Sequence, residues 1–348
     1  MSKISINGRA IGGGEPCYIV AEMSANHGQS FDQAVKIIEA TKEVGADAIK
    51  LQTYTPDTMT INSHNEFFQI KDTIWAGRNL YELYGEAYTP WDWQPKLKEL
   101  AEKLGLDFFS TPFDHTAVDF LESLDVPVYK VASFELVDVP LLKRIAKTGK
   151  PIFISTGMAS LAEIEEAVST VRRSGGNHLA LLKCTSAYPA PPEEMNLRTI
   201  PHLAEAFGLP VGLSDHTLDF EVAVAAVALG ACIVEKHFTL SREQPGPDSS
   251  FSMEPHEFKE MVRAIRSVEQ ALGRVQYQIT EREESSKVFR RSLFVVRDMY
   301  AGEEFTEENV RSIRPGFGLH TRHLGEVLGR KAREDIAKGT PLSWDLIT

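Results

Sequence analysis

Short, near-continuous apolar runs recur along the first 270 or so residues, at 18–21, 48–51, 108–110, 128–131, 152–155, 180–183, 211–214 and 233–236. Between them lie longer stretches with apolar positions three and four apart, at 31–44, 91–104, 139–147, 161–174 and 220–229, and a last one at 255–272. Uninterrupted apolar strands alternating with amphipathic helices predict a parallel sheet covered on its outer face. Eight such units over this length fit a closed (β/α)8 TIM barrel. An open doubly wound sheet would have fewer strands and, often, a glycine-rich phosphate loop after the first. Here the first strand runs into Ala21-Glu22-Met23-Ser24, and Gly12–Gly14 precede it as a turn.

The texture changes near the C-terminus. Residues 276–287 (QYQITEREESSK) are polar and read as a linker. Beyond them, a β-like run at 292–296 and glycine turns predict a small strand-rich domain near the lower size limit for independent folding. The expected organisation is a barrel at 1–275, a linker at 276–288 and a small domain at 289–348. From Phe289 onward ten Lys/Arg face nine Asp/Glu, so the overall charge of −12 belongs to the barrel region.

That charge changes the functional picture: an acidic chain lacks the basic face that nucleic acid needs. The three widely spaced cysteines, Cys17, Cys184 and Cys232, suit neither a disulfide framework nor a four-thiolate zinc site, and fit a reducing cytoplasm. No signal peptide is visible, and the longest apolar run, around 222–234, is too short for a bilayer. A cytoplasmic protein without membrane or nucleic-acid partners is expected.

In a (β/α)8 barrel the reactive groups gather where the strands end. Polar or ionisable residues stand at all eight ends here: Glu22; Lys50 and Gln52; Thr111; Lys130 and Ser133; Ser155; Lys183, Thr185 and Tyr188; Ser214 and His216; Glu235 and His237. One such residue is ordinarily a satisfied edge group, but eight sets are hard to reconcile with packing, because desolvated charge without a partner is costly. Lys50 and Lys130, near the hydroxyls of Thr111, Ser133, Ser155 and Ser214, suit a phosphate or carboxylate. Each lysine alone would equally suit pairing with Glu22 or Glu235, and a desolvated amine can also form a Schiff base. His216 and His237 end adjacent strands, so their rings can converge on a divalent metal, with Glu235 alongside. Oxygen donors and the absence of a cysteine ligand favour Mn2+ or Mg2+ over zinc.

These residues sit in recognisable motifs. Ala21-Glu22-Met23-Ser24-Ala25-Asn26-His27, Lys50-Leu51-Gln52-Thr53-Tyr54, Ser110-Thr111-Pro112-Phe113-Asp114, Lys130-Val131-Ala132-Ser133, Gly212-Leu213-Ser214-Asp215-His216-Thr217 and Glu235-Lys236-His237-Phe238 resemble the sialic acid synthase family. Within it, EMSANH and QTYTPDT look most like pseudaminic acid synthases. Arg314-Pro315-Gly316-Phe317-Gly318 resembles the family's antifreeze-like (SAF) domain.

The resemblance implies a transferase that condenses phosphoenolpyruvate with an open-chain N-acylated amino-sugar aldehyde, giving a nine-carbon 2-keto acid and phosphate. The implied sugar is 2,4-diacetamido-2,4,6-trideoxy-L-altrose. N-acetylmannosamine or a diacetamido-trideoxy-mannose, the substrates of N-acetylneuraminate and legionaminic acid synthases, are the alternatives. By the same resemblance Lys50, Thr111, Lys130, Ser133, Ser155 and Ser214 hold phosphoenolpyruvate, and His216 and His237 hold the metal. Glu22 and Glu235 handle protons and cationic character, and Gln52, Tyr188 and Asp248 meet the sugar. The family often has Asn two residues before that tyrosine, where this chain has Ser186. The implied assembly is a domain-swapped homodimer in which Arg314 reaches the partner's sugar. A lysine Schiff-base pyruvate aldolase and a non-catalytic sugar-binding barrel are the competing readings.

Overall fold

The structure, a computed structural model, describes residues 2–71 and 73–348. The chain forms two compact units, Met1–Gly273 and Arg274–Thr348.

The first unit opens with a hairpin that the periodicity does not reveal, β1 (Lys3–Ile6) paired antiparallel with β2 (Arg9–Gly12). Its turn is Asn7-Gly8, both with positive φ (47° and 81°), the backbone that a tight two-residue hairpin requires. Ile6 and Ile11 are buried in the barrel's hydrophobic core. The Asn7 amide donates to Asp107, the first residue of a barrel strand, at 2.6 Å, so the hairpin lies at the N-terminal end of the barrel.

The eight apolar runs form eight parallel strands: β3 (Tyr18–Glu22), β4 (Ala48–Thr53), β5 (Asp107–Pro112), β6 (Tyr129–Val131), β7 (Ile152–Ser155), β8 (Leu179–Cys184), β9 (Val211–Asp215) and β10 (Ile233–His237). They close in sequence order, and β10 pairs with β3 so that His237 stands opposite Glu22. Every residue of β3, β9 and β10 is buried, which is why these strands read as continuous rather than alternating. Phe109 and Phe153 meet edge to face at 5.9 Å within the core.

The surrounding helices begin at side-chain caps that the sequence supplies. Ser30 caps Phe31–Glu43, Asp114 caps His115–Ser123, and Ser160 with Glu163 forms a reciprocal capping box on Leu161–Arg173. No helix among the described residues is long and apolar enough to cross a membrane.

The second unit has its own core, including Leu293, Val295, Phe305, Val310 and Ile336. Regular strands there are confined to β11 (Ser292–Val295) and β12 (Val310–Ile313), paired antiparallel; other pairings, such as Met299 with Ile336, are single bridges. Glycine turns at Gly302, Gly329 and Gly339, all with positive φ, interrupt longer pairing. The polar segment expected to be an extended linker is part of this unit and partly helical. Thr280 and Glu283 form a capping box on Glu281–Glu284, and a 3-10 turn (Ser285–Phe289) follows. All three cysteines are free and buried.

Candidate active site at the barrel mouth

The strand ends bring four charged side chains into one buried cluster. Lys50 Nζ lies 2.6 Å from Glu22 Oε2 and 3.7 Å from Glu235 Oε1, and Lys130 Nζ lies 3.3 Å from the same Glu235 oxygen. Register explains the pairing: Glu22 and Lys50 are Cα partners across β3 and β4, and Glu235 lies on β10 beside Ser214 on β9. Hydroxyls complete it, with Lys50 donating to Thr111 Oγ1 at 3.2 Å and Ser214 donating to Glu235 Oε1 at 3.2 Å. Two ammonium groups and two carboxylates so deep in the fold are tolerable only as partners.

Their electrostatics diverge. Burial raises the Glu22 carboxyl above the usual range, and the Glu235 charge adds to this against the pull of Lys50. Burial acts on Glu235 too, but Lys130 and Lys50 together outweigh it and hold that carboxyl below its ordinary value. Burial lowers the Lys130 ammonium, with Glu235 opposing and Lys50 reinforcing the shift. Two like groups whose environments push their proton affinities apart are suited to different tasks.

The expected hydroxyls are all buried. Ser155 Oγ has no hydrogen-bond partner among the described residues, and Ser133 Oγ accepts the Gly157 N–H at 3.1 Å. A β-carbon on Gly157 would collide with Ser186 Oγ and come within 2.6 Å of Ser133 Oγ, so glycine here lets both serine side chains lie directly against the backbone.

The rings of His216 and His237 converge, with centroids 5.4 Å apart. His216 Nδ1 donates to Thr185 O at 2.9 Å, so in the neutral ring the lone pair is on Nε2. His237 Nδ1 is buried without a partner among the described residues, and burial, with the cationic groups around it, keeps that ring neutral by pushing its pKa well down. A tethered imidazole beside an orphaned neutral one fits a divalent cation. No group of three or more His, Cys, Asp or Glu side chains arranged around a metal is found among the described residues. Glu235, expected alongside the histidines, is engaged by both lysines and Ser214 instead. A cation here would keep water or substrate oxygens on its remaining positions, as manganese and magnesium do.

The expected sugar-side residues are only partly assembled. Gln52 Nε2 donates to Glu22 Oε1 and to Ser24 Oγ, both at 2.9 Å, and Ser24 in turn donates to Asp248, forming one chain. Tyr188 lies against His216, with ring centroids 4.4 Å apart. Arg314 is in the second unit and exposed.

Three side chains beside this site escaped the sequence reading. Phe251 stands 5.0 Å from the His237 ring, and Trp75 stands 5.7 Å from Tyr188. Neither follows a barrel strand directly, so position alone did not flag them. The Cys184 thiol is 3.8 Å from His216 Nδ1. Burial raises that thiol, but His216, Ser133 and Lys130 together outweigh it and bring the pKa down to about 7.

The NeuB family profile matches residues 37–277 and the SAF domain profile residues 290–348. The chain belongs to the NeuB family. Among NeuB relatives, the pseudaminic acid synthase of Helicobacter pylori is 47% identical over 95% of this chain and 98% of its own. The N,N'-diacetyllegionaminic acid synthase of Legionella pneumophila is 37% identical over 99% of both chains. A solved N-acetylneuraminic acid synthetase from Leptospira borgpetersenii superposes with a TM-score of 0.73 at 31% identity, covering 82% of this chain and 95% of that one. These NeuB relatives are named as synthases, and this chain, which shares their barrel and SAF domain, is an enzyme of that class.

Proposed function

We propose that this chain condenses phosphoenolpyruvate with open-chain 2,4-diacetamido-2,4,6-trideoxy-L-altrose and water, giving pseudaminic acid and phosphate. The observation that carries the reading is the buried Lys50–Glu22–Glu235–Lys130 cluster, ringed by small hydroxyls. It has the charge and donors for a phosphorylated carboxylate, and Lys50 is held as an ammonium against its burial by Glu22 and Glu235. The choice of sugar is supported by the higher identity to a pseudaminic acid synthase than to a legionaminic acid synthase.

Lys50, Lys130, Thr111, Ser133, Ser155 and Ser214 bind and orient phosphoenolpyruvate. His216 and His237 hold a divalent cation, Mn2+ or Mg2+, which when bound supplies Lewis-acid polarisation of an aldehyde oxygen. The methylene carbon of phosphoenolpyruvate forms the new C–C bond to the aldehyde carbon, and the aldehyde oxygen takes up a proton. Cationic character develops at the phosphate-bearing carbon. Glu235, held ionised by its lysines, supplies a fixed negative charge that stabilises that centre. Water then adds to it, losing a proton, and the C–O bond to phosphate breaks as the remaining hydroxyl becomes the ketone. Glu22, whose carboxyl retains its proton more readily, carries the proton traffic. Gln52, Tyr188 and Asp248 meet the sugar. A homodimer in which Arg314 serves the partner's site completes the proposal.

The test is phosphate release from phosphoenolpyruvate with three sugars: the diacetamido-trideoxy-altrose, its manno counterpart and N-acetylmannosamine. Turnover of the altrose sugar first, lost with a chelator and restored by Mn2+, is the expected result. Preference for either other sugar replaces the substrate assignment. Chelator-resistant turnover of pyruvate with borohydride trapping of a lysine would replace it with an aldolase.

A further inference from the structure

The long connection between the helix at Pro56–Met59 and the helix at Leu80–Ala87 is closed on itself. Gln69 bridges to Asn79, Ile70 N–H donates to Arg78 O and Gly77 N–H to Ile70 O, both at 2.9 Å. Asn79 is buried, and its amide holds Ser63 O at 2.6 Å. Connections this long inside a compact barrel are usually functional. This one presents Trp75 to the opposite side of the mouth. The indole Nε1–H donates to Pro247 O at 2.9 Å, next to Asp248.

Trp75 closes a triangle of aromatic rings. Its centroid is 5.7 Å from Tyr188 and 6.5 Å from Phe251, and Tyr188 and Phe251 are 5.2 Å apart. The triangle abuts the imidazole pair through Tyr188 at 4.4 Å from His216 and Phe251 at 5.0 Å from His237. Because Trp75 spends its one polar atom on Pro247, it offers a ligand only its ring.

Resting on the proposed function, we infer that Trp75 is a specificity-determining residue whose aromatic wall receives a methyl group of the sugar. The lysine cluster claims the anionic substrate, so the substrate portion beyond the histidines belongs to the sugar. The wall desolvates what it touches and gives nothing back to a hydroxyl, whereas a methyl fills it. A sugar bearing acetamido and 6-deoxy groups carries methyls that N-acetylmannosamine lacks. The wall therefore discriminates between them. The methyl comes either from C6 or from the 4-acetamido group, and the two sources are separable.

The experiment measures kcat and KM for wild type, Trp75→Phe and Trp75→Ala, with phosphoenolpyruvate and three altrose sugars: the diacetamido-trideoxy sugar, its 6-hydroxy form, and its 4-formamido form. Wild type is expected to disfavour one of the two altered sugars by roughly 10–100-fold in kcat/KM, the range an apolar pocket achieves. A preference on the 6-hydroxy arm assigns the wall to C6, and one on the 4-formamido arm assigns it to the acetamido methyl. Trp75→Ala should flatten the preference by raising the KM of the methyl-bearing sugar, with the KM of phosphoenolpyruvate unmoved. Trp75→Phe, which keeps a ring but loses the bond to Pro247, should retain most of the preference. A wild-type enzyme that turns over all three equally overturns the wall alone. So does a Trp75→Ala enzyme that keeps the wild-type ratio, or whose phosphoenolpyruvate KM rises in step with that of the sugar. Phosphate release from none of the three overturns the proposed function and this inference together.

Discussion

Lys236 and Asp215 form a 2.7 Å ion pair whose side chains are both fully buried. Lys236 stands between Glu235 and His237 on β10, so it points to the opposite face of the strand from both. Its ammonium also donates to Thr217 O at 2.6 Å and Asp219 O at 2.8 Å, while Asp215 Oδ1 accepts from Thr217 N and Oγ1. The turn that carries His216 is thus fastened from behind by a pair that never faces the mouth.

Removing one partner leaves an uncompensated buried charge, which costs about 3–5 kcal/mol. Lys236→Met should therefore lower the melting temperature of the barrel unit, Met1–Gly273, by roughly 5–9 °C at about 2.1 cal/mol/K of unfolding entropy per residue. Adding Asp215→Asn should recover part of the loss. An unshifted Lys236→Met melt would mean that the pair is solvated in practice.

Glu135 lies in the turn after β6, its Oε2 buried without a partner, and burial pushes its carboxyl up from 4.5 to about 7. The folded protein holds this proton where the unfolded chain has released it. Stability from this group is thus complete below about pH 4.5 and falls as pH rises to about 7, by up to about 3 kcal/mol. Glu135→Gln removes the decline. Thermal melts from pH 4.5 to 8 should show the variant gaining on wild type up to about pH 7 and running parallel above it. Parallel curves throughout would place an ordinary carboxyl at this position.

Lys130 is 2% exposed and, among the carboxylates of the described residues, reaches only Glu235. Lys130→Met should raise the phosphoenolpyruvate KM roughly 10–150-fold, the equivalent of one lost hydrogen bond to a charged group, with far less effect on the sugar KM. Equal changes in both constants would point to a structural lysine.

The trans assignment of Arg314 has a complementation test. If Arg314 acts in trans in a homodimer, Arg314→Ala and Glu22→Ala, each expected to be inactive alone, combine into mixed dimers in which one site carries both lesions and the other none. Subunit exchange should restore up to about a quarter of wild-type activity for random pairing and independent sites. If Arg314 serves its own barrel, every site is damaged and mixing restores nothing.

The barrel was legible because its signal is redundant: eight apolar runs, each bounded by polar residues, leave few other ways to cover a parallel sheet. Lys50, Lys130, Glu22 and Glu235 were legible for a related reason, since a charged residue ending a buried strand has to face the mouth or a partner. The β1–β2 hairpin was missed although Asn7-Gly8 is a strong two-residue turn signal, because its flanking strands are too short to show alternation. The helix at Glu281–Glu284 was hidden by its polar composition, yet Thr280 and Glu283 already spelled its cap. Trp75 was not readable at all: a loop has no period, and its bond to Pro247 joins residues far apart in the chain. Lys236 carries no signal of its own in the sequence, since nothing there says which face of a wholly buried strand carries the chemistry.

Gly157 bears on how other genomes are read. Ser133 and Ser186 can lie against the backbone at position 157 only because it has no β-carbon, and under the proposed assignment Ser133 is one of the hydroxyls that orient the incoming anion. A protein can keep every lysine, glutamate and histidine of this mouth and still have those hydroxyls displaced by one methyl group at that place. When newly sequenced chains are sorted for synthase activity, the residue at this position should be inspected along with the charged ones, because it reports whether the hydroxyls can be seated, whereas they report only charge.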